Sequence, residues 1–384
     1  MNPRRRTWLS LLAGTAAGSL VDAADAAAAR APERAAADDD LISPARTLHF
    51  PRDHGAHPGA RIEWWYATGW LRESPQDLPV GWQITFFRSR TGLAADLPGR
   101  FAARQLLFAH AAITDIGAGQ HRHAQRVQRW SGDETLPDAH ALRLDSGIAL
   151  GAWRLRRGGD GRYAARLAAP EAGFTLDLVL TPTQPVLLQG QAGHSRKGPL
   201  PQHASHYYSQ PQLMVDATLA QGGRQRRAVG RGWLDHEWSD ELLAEGAVGW
   251  DWIGINLHDG SALTAFVLRR RDGSTVWAGG SHRGGGAAAA LPPRVFGPAE
   301  VQFEPRRHWT SPATGAVYPV RWTITTPAGR FDVEALLDAQ ELDSRASTGS
   351  VYWEGLSALR DDAGREVGLG YLEMTGRSAP LKLG

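Results

Sequence analysis

The stretch Phe174–Leu180 reads FTLDLVL, with an apolar residue at every second position. Successive side chains of a β-strand point to opposite faces, so this pattern predicts a strand with one buried face. The same alternation recurs at Val320–Ile324 and Phe331–Leu337, and Gly, Pro, Asp and Asn separate such stretches at short intervals. The chain is therefore predicted to be all-β. The best helical pattern, DELLAEGA at Asp240–Ala247, predicts at most a short helix in a loop.

The composition narrows the chemistry that the chain can perform. Its 384 residues include 42 Lys plus Arg and 40 Asp plus Glu, and the resulting net charge of +2 speaks against a nucleic-acid partner. The absence of cysteine excludes disulfides, Cys-ligated zinc, iron–sulfur clusters and thiol nucleophiles. Catalysis is left to carboxylates, His, Tyr and hydroxyl groups.

The N-terminus has the pattern of an export signal. Arg4, Arg5 and Arg6 precede a modestly apolar stretch that ends near Leu20, followed by alanine-rich sequence with small residues suited to cleavage. Residues 1–30 are predicted to be a twin-arginine signal, with an ordinary secretory signal as the alternative. Residues 31–41 are predicted to be a flexible leader. We expect a periplasmic or secreted protein that is soluble once the signal is removed.

The folded part is predicted to form two domains. Barrels remove the exposed edges of a sheet, and a β-chain of this length can form two of them. WWYATGWL at Trp64–Leu71 aligns with WDWIGINL at Trp250–Leu257, which indicates an internal duplication. Residues 190–206 look like a loop, so the N-terminal domain is predicted at 42–200 and the C-terminal domain at 201–384.

Four motifs resemble one protein family. They are EWWYATGWL at Glu63–Leu71, GWLDHEWSD at Gly232–Asp240, GWDWIGINLHDG at Gly249–Gly260 and VYWEG at Val351–Gly355. The chain resembles the AttH-type secreted proteins similar to carotenoid 1,2-hydratase (hydroxyneurosporene synthase). The resemblance implies two lipocalin-like antiparallel β-barrels in tandem. It also implies three different functions, namely carotenoid hydratase, secreted hydrolase and ABC-transporter-associated factor.

The DHEW segment is the first candidate for chemistry. In a strand, His236 and Trp238 share one face, while Asp235 and Glu237 share the opposite face. The hydratase family has a His-x-Trp of this kind, which His236 and Trp238 match. The family's Tyr-x-Asp pair has no counterpart here, because Leu263–Phe266 occupies that region.

Hydration of an alkene needs an acid to donate a proton and a surface that stabilises the resulting cation. A buried, neutral carboxylic acid suits the first step, and indole faces suit the second. The predicted catalytic residues are Asp235, His236, Glu237 and Asp251. The predicted substrate-binding residues are Glu63, Trp64, Trp65, Tyr66, Trp238, Trp250, Trp252 and Trp353.

A purely structural interpretation is the alternative. It makes Asp235, His236 and Glu237 mutual partners at a barrel rim and the Trp residues core anchors. Buried carboxylates among aromatic rings usually need a cation, so Glu63 and Glu354 are expected to pair with arginine, and the candidates are Arg61, Arg88 and Arg90.

Hydrolase and metal signals are weaker. Gly193–Gly198 has one residue too many for a serine nucleophile elbow, and the HEWSD of residues 236–240 lacks the second His of a zinc-protease motif. Three close His pairs, His54 with His57, His121 with His123 and His203 with His206, lie in polar sequence and are expected to be exposed or capping. No metal and no cofactor are predicted.

We therefore expect an exported protein that binds an apolar small molecule, such as an isoprenoid, carotenoid or lipid, and hydrates one of its double bonds. One alternative is a non-catalytic lipid or lipoprotein carrier that works with an ABC transporter. A second alternative is a secreted hydrolase.

Overall fold

The computed structural model describes residues 41–93 and 101–381. The predicted export signal and nearly all of the predicted leader lie outside these residues. The described part contains no α-helix, only short 3-10 segments at Arg52–His54, Pro170–Ala172 and Gly286–Ala290. The predicted helix at 240–247 is wrong, because these residues form bends and turns, with Gly246 at a positive φ of 81°. No helix in the described ranges has the length and apolar character needed to cross a membrane.

Thirteen strands form the first antiparallel sheet. They are β1 (Ile62–Arg72), β2 (Val80–Arg90), β3 (Gln105–Asp115), β4 (Gln120–Trp130), β5 (Ala139–Ala141), β6 (Gly147–Leu150), β7 (Trp153–Arg157), β8 (Tyr163–Ala169), β9 (Phe174–Thr181), β10 (Leu187–Leu188), β11 (His194–Arg196), β12 (Ala204–Gln221) and β13 (Arg224–Ser239). The order is β4-β3-β2-β1-β13-β12-β9-β8-β7-β6-β5, with β10 and β11 added to β12. The edge strands β4 and β5 approach each other, so the sheet nearly closes into a barrel.

Ten strands form the second antiparallel sheet. They are β14 (Gly249–Leu257), β15 (Ala262–Arg269), β16 (Thr275–Arg283), β17 (Arg294–Phe296), β18 (Gln302–Thr310), β19 (Val317–Thr326), β20 (Gly329–Ala335), β21 (Glu341–Ser344), β22 (Ser350–Arg360) and β23 (Glu366–Met374). The order is β17-β16-β15-β14-β23-β22-β20-β19-β18, with β21 added to β22. The predicted all-β fold of two antiparallel sheets is confirmed.

The sheets divide the chain later than the predicted boundary at 200. Strands β12 and β13 pair with β9 and β1, so residues 204–239 complete the first sheet, and the second sheet begins at Gly249. The loop-like composition of 190–206 misled the prediction. That segment contains the short strand β11, which folds back on β12 as an accessory hairpin within the first sheet.

The two sheets follow the same path. In each, the first strand lies in the middle, the next three strands extend to one side in order, and the last two strands lie on its other side. Thus β1, β2, β12 and β13 correspond to β14, β15, β22 and β23. The shared topology supports the duplication inferred from WWYATGWL and WDWIGINL.

Each sheet encloses an apolar core. Phe174, Leu176, Leu178 and Leu180 of β9 are all buried in the first core, as their alternation predicts. Val320, Trp322 and Ile324 of β19 are likewise buried in the second core. A third cluster lies between the two cores and contains Trp64, Tyr66, Trp233, Trp250 and Trp252.

Candidate functional site

The middle strands of the first sheet carry different side chains on their two faces. On β1, Trp65 packs in the first core, whereas Trp64 and Tyr66 belong to the cluster between the cores. On β13, His236 stacks on Trp65 with ring centres 4.6 Å apart, so His236 also points inward. The alternation of a strand then sends its neighbours toward the second sheet.

A cavity of about 110 Å³ lies at that outward face and receives side chains from both sheets. We refer to it as the central cavity. Its lining is Trp64, Tyr66, Thr85, Phe87, Ser195, Lys197, Ser205, Tyr207, Asp235, Glu237, Leu242, Trp250, Trp252, Phe266, Leu268, Tyr352, Glu354 and Glu373.

Equivalent positions of the two repeats face each other across this cavity. The alignment of WWYATGWL with WDWIGINL makes Trp64 equivalent to Trp250. The pairing register of the neighbouring strands in each sheet then gives the other equivalent positions. The equivalent pairs in the lining are Trp64 and Trp250, Tyr66 and Trp252, Thr85 and Phe266, Phe87 and Leu268, Tyr207 and Tyr352, and Asp235 and Glu373. The central cavity is therefore a pseudo-twofold site that neither repeat forms alone.

Asp235 supplies the first buried acid. Its Oδ1 accepts hydrogen bonds from Ser209 Oγ at 2.5 Å and from Trp233 Nε1 at 2.8 Å. Burial raises the pKa of Asp235 to about 7, although these donors oppose the rise. Near neutral pH this carboxyl group can hold or release a proton.

Glu354 and Glu373 form the second acidic group. They are directly opposite each other on β22 and β23. Burial raises the pKa of Glu373 to about 7, and Trp250 Nε1 donates to its Oε2 at 3.0 Å. Burial and the neighbouring Glu373 raise the pKa of Glu354 well above its usual range. The Oε1 atom of Glu354 is buried without a hydrogen-bond partner. Glu354 was predicted to pair with an arginine, but no described arginine forms an ion pair with it.

Glu237 differs from the other acids because it has a cation beside it. Lys197 Nζ lies 3.7 Å from Glu237 Oε1, donates to Ser239 Oγ at 2.8 Å and lies 5.8 Å from the Trp64 ring centre. Burial raises the pKa of Glu237, while Lys197 acts to lower it. Among the described residues that line the central cavity, Lys197 alone carries a positive charge.

Aromatic rings form most of the remaining wall. The Tyr66 and Trp252 rings meet edge to face at 5.5 Å, and Trp233 meets Trp252 in the same way at 6.3 Å. Aromatic faces attract cations, most strongly where water is excluded. The central cavity thus combines proton donors with surfaces that stabilise developing positive charge.

The inward face of β1 and β13 holds a different cluster, the inner network of Asp53, His57, Glu63, Arg88 and His236. Arg88 Nε forms an ion pair with Glu63 Oε2 at 2.7 Å. Glu63 Oε1 lies 2.8 Å from His57 Nδ1 and 2.9 Å from His236 Nε2. Although burial opposes it, Arg88 and the two His hydrogen bonds hold the pKa of Glu63 well below its usual value. Glu63 therefore forms the ion pair expected of it.

Histidine pairs that were expected to be exposed are buried in and around this network. His57 Nε2 also contacts Asp53 Oδ1 at 3.1 Å, and the His57 ring stacks on Trp238 with centres 3.6 Å apart. His54 is buried and its Nδ1 lies 2.8 Å from the Tyr208 hydroxyl. The expected exposure of His54, His57, His203 and His206 is wrong, because the chain before β1 and the β11–β12 hairpin pack against the sheet. The capping alternative fits His203, whose Nδ1 accepts a hydrogen bond from the Leu200 N–H at 3.4 Å. His121 and His123 are half-buried.

One group of described residues has the donor atoms of a metal site, namely His57, Glu63 and His236 with ligand atoms within 4.8 Å of one another. Arg88 already supplies positive charge to Glu63, and both ring nitrogens of His57 face carboxylate oxygens. A divalent cation added here would meet a cluster whose negative charges are already paired. The geometry fits an ion-pair network better than a metal centre.

The structure separates the predicted site residues into two groups. Those in the central cavity are Trp64, Tyr66, Asp235, Glu237, Trp250 and Trp252. Those on the inner, core-facing sides of the two sheets are Glu63, Trp65, His236, Trp238, Asp251 and Trp353. His236 is therefore on the opposite face of β13 from Asp235 and Glu237 and does not line the central cavity. Asp251 is held by Arg377 Nη2 at 2.7 Å and Arg269 Nε at 3.3 Å inside the second sheet.

Several cavity residues were not predicted as part of the site. Lys197, Tyr207, Tyr352 and Glu373 were not singled out for it, and Glu354 was assigned to an ion pair. The sequence duplication alone does not reveal them, because Glu373 takes the position of Asp235 only through the pairing of β13 with β1 and of β23 with β14.

Comparison with known proteins identifies the family. The AttH-like family model matches residues 41–377. The chain belongs to the AttH-like family. A Nitrosomonas europaea protein assigned to AttH has a crystal structure with a TM-score of 0.80 and 44% identity, covering 88% of this chain and 99% of that one. Kievitone hydratase from Nectria haematococca has a TM-score of 0.62 and 13% identity, covering 87% of this chain and 95% of that one, so the two share the fold. A search of curated proteins gives no match.

Proposed function

We propose that this AttH-like protein is a hydratase that adds water across a carbon–carbon double bond of an apolar substrate held in the central cavity. One observation carries the proposal. Four carboxyl groups, the buried ones of Asp235 and Glu354 and the half-buried ones of Glu237 and Glu373, face an aromatic cavity that contains one described cation. The name of kievitone hydratase, a structural neighbour, states a hydration and supports the same reaction class.

The environments of the acids divide their roles. Glu354 is the proton donor, because burial and the neighbouring Glu373 raise its pKa and so favour its protonated form. It transfers its proton to one alkene carbon, and the adjacent carbon becomes a cation. The indole faces of Trp250 and Trp252 stabilise that cation.

Glu237 completes the reaction as the base. Lys197 favours its ionised form, so it can accept a proton from the attacking water while the water oxygen bonds to the cationic carbon. The proton accepted by Glu237 replaces the one that Glu354 gave, through the other carboxyl groups or solvent. The net change is addition of one water to the double bond.

A carrier of apolar cargo would gain nothing from these acids. Burying a carboxyl group without a cation is unfavourable, and Glu354 shows that arrangement. A proton-transfer role explains why acidic residues occupy the wall of an oily cavity.

The test is hydration of apolar alkenes in water labelled with ¹⁸O. Purified protein is incubated with an acyclic carotenoid, an acyclic terpene and a prenylated phenol, and labelled alcohols are measured by mass spectrometry. Glu354→Gln should reduce the rate by roughly 10²–10⁴-fold, the range for loss of a general acid. Glu171→Gln, a change of the same type at a largely exposed side chain, should leave the rate unchanged. Absence of labelled alcohol from every substrate would reject the hydratase.

Export belongs to the same proposal. The Arg4–Arg6 segment and the apolar stretch after it support secretion to the periplasm or beyond. Cell fractionation of a tagged full-length chain tests this, and Arg4, Arg5 and Arg6 replaced together by Lys should retain the precursor in the cytoplasm if the twin-arginine route is used. Association with an ABC transporter stays a prediction.

A further inference from the structure

The central cavity is too small for a long substrate. Its volume is about 110 Å³, whereas an engineered cavity of roughly 150 Å³ holds one benzene. Only a ring or the branched end of a chain fits among the acids. Any larger substrate must extend into neighbouring space.

A second recess of about 430 Å³ adjoins the central cavity, and we call it the outer groove. Ser195, Tyr207 and Phe266 line both spaces, so only these three side chains stand between the groove and the cavity where the two adjoin. The groove runs between the segment 189–201 of the first sheet and strands β15 to β17 of the second.

The groove has an apolar floor whose shape depends on a glycine. Phe266 and Trp277 contribute rings to it. A Cβ at Gly279 would lie 2.9 Å from the Phe266 ring, so only glycine lets that ring lie against β16. The surface can therefore accept a flat or extended apolar group beside the central cavity.

A hydrogen-bonded bridge fixes the two walls. Gln189 Nε2 donates to Ser209 Oγ at 2.8 Å, and Ser281 Oγ donates to Gln189 Oε1 at 2.8 Å. Ser209 is also the donor to Asp235. The groove wall and the buried acid Asp235 thus belong to one hydrogen-bonded network across the two sheets.

A single cation stands at the rim among the described groove residues. The Arg196 guanidinium carbon lies 4.9 Å from the Trp277 ring centre, and its Nη2 donates to the carbonyl oxygens of Gly198 and Pro199. The residue is exposed. These contacts hold its positive charge beside the Trp277 ring, next to the apolar part of the groove.

We propose that the outer groove binds the distal part of the substrate, and that this substrate is an elongated amphipathic molecule. Its alkene end enters the central cavity, its apolar body lies on Phe266 and Trp277, and a carboxylate at its far end pairs with Arg196. This inference rests on the proposed hydratase function for the role of the alkene end.

The test uses cis-parinaric acid, a fluorescent polyene carboxylic acid, and its methyl ester as probes of the purified full chain. Val295 lines the groove and is 43% exposed, so Val295→Trp can fill the groove from outside the core. It should weaken binding of both probes at least tenfold. Val317→Trp, at a similarly exposed valine outside the groove, should leave both affinities unchanged.

Arg196→Gln separates the charge from the apolar surface. It should weaken binding of the acid at least fivefold and of the ester less than twofold, whereas Arg129→Gln at another exposed arginine should change neither. If Val295→Trp binds both probes as tightly as the wild type, the proposal that the outer groove binds the substrate is overturned. Equal effects of Arg196→Gln on acid and ester overturn the carboxylate contact.

These outcomes are distinct from the fate of the hydratase. Glu354→Gln should retain probe binding within twofold, because the groove residues are intact. Binding without labelled alcohol would reject the reaction and keep the groove. Hydration of a short alkene, together with probe binding that Val295→Trp does not weaken, would keep the reaction and reject the groove.

Discussion

The interiors of the two sheets each contain a buried carboxylate paired with arginine, but the carboxylate stands at a different position of the central strand in each. Arg88 of β2 and Arg269 of β15 occupy equivalent positions, since they pair with Glu63 and Gly249 at equivalent places on the central strands. Arg88 binds Glu63 within a cluster of histidines, whereas Arg269 binds Asp251, which lies two residues further along its strand than the equivalent of Glu63. Both interior carboxylates are paired with arginine.

The outward face behaves in the opposite way. Within residues 41–93 and 101–381, no arginine forms an ion pair with Asp235, Glu354 or Glu373, and the one cation among the cavity-lining residues is Lys197, next to Glu237. The comparison separates carboxylates that stabilise a barrel interior from carboxylates that remain able to exchange protons. The second group lies where the repeats meet.

The largest expected effect comes from breaking the inner network. Glu63→Gln removes the charge that balances Arg88, whose side chain is fully buried, so the free energy of unfolding should fall by about 3–5 kcal/mol. Guanidinium denaturation measures the change. Asp251→Asn should cost less, because its partners Arg269 and Arg377 retain 8% and 17% exposure and can be solvated. A greater loss from Asp251→Asn would contradict this account.

The cavity acids should instead make stability fall as pH rises. The pKa of Glu373 is about 7 in the folded protein against an ordinary 4.5, so the folded state holds a proton that the unfolded state releases. Its contribution is complete below pH 4.5 and is lost as pH rises through 7. The magnitude is roughly 1.4 kcal/mol per unit of pKa difference, reduced by any relaxation of the site.

Urea denaturation of wild type and Glu373→Gln between pH 4 and 8 measures this contribution. The wild type should lose stability relative to the variant across that window, because glutamine does not titrate. For the matched change Glu171→Gln, the free energy of unfolding plotted against pH should run parallel to that of the wild type. A difference that stays flat or grows with pH would show that Glu373 titrates normally.

The smallest expected effect sharpens the comparison of the two acid pairs. Ser209 and Asp235 occupy the positions that Glu354 and Glu373 occupy in the second repeat. Ser209→Ala removes a donor to the Asp235 carboxylate and should raise its pKa by about one unit, since such bonds favour the ionised form. Carboxyl ¹³C NMR of the labelled protein follows the titration. Ser357→Ala, at another buried serine, should leave it unmoved; an unchanged pKa in Ser209→Ala would refute the role of the hydroxyl.

Period-two alternation was enough to predict the strands. The FTLDLVL stretch appears as β9 with the predicted residues buried, and the family resemblance fixed the pair of lipocalin-like sheets. The boundary at 200 was wrong because strand pairing between distant segments is not visible in local composition. β13 pairs with β1, and no local pattern near His206 shows this.

The site was harder to predict because both faces of the central strands are buried. Alternation correctly placed His236 opposite Asp235 and Glu237, but it does not say which face meets a core and which meets a cavity. The family's His-x-Trp directed attention to the inward face. Recognising the acids of the outward face required the second sheet, which brings Glu354 and Glu373 to Asp235.

The pseudo-twofold arrangement has a consequence for how such a centre can change. A pocket at the axis of a symmetric dimer receives every residue twice, so a substitution alters both halves together. Joining the copies in one polypeptide frees each half to vary separately, and here a serine stands where its twin has a glutamate. Asymmetric chemistry, with a donor on one side and an acceptor on the other, becomes accessible only after that fusion.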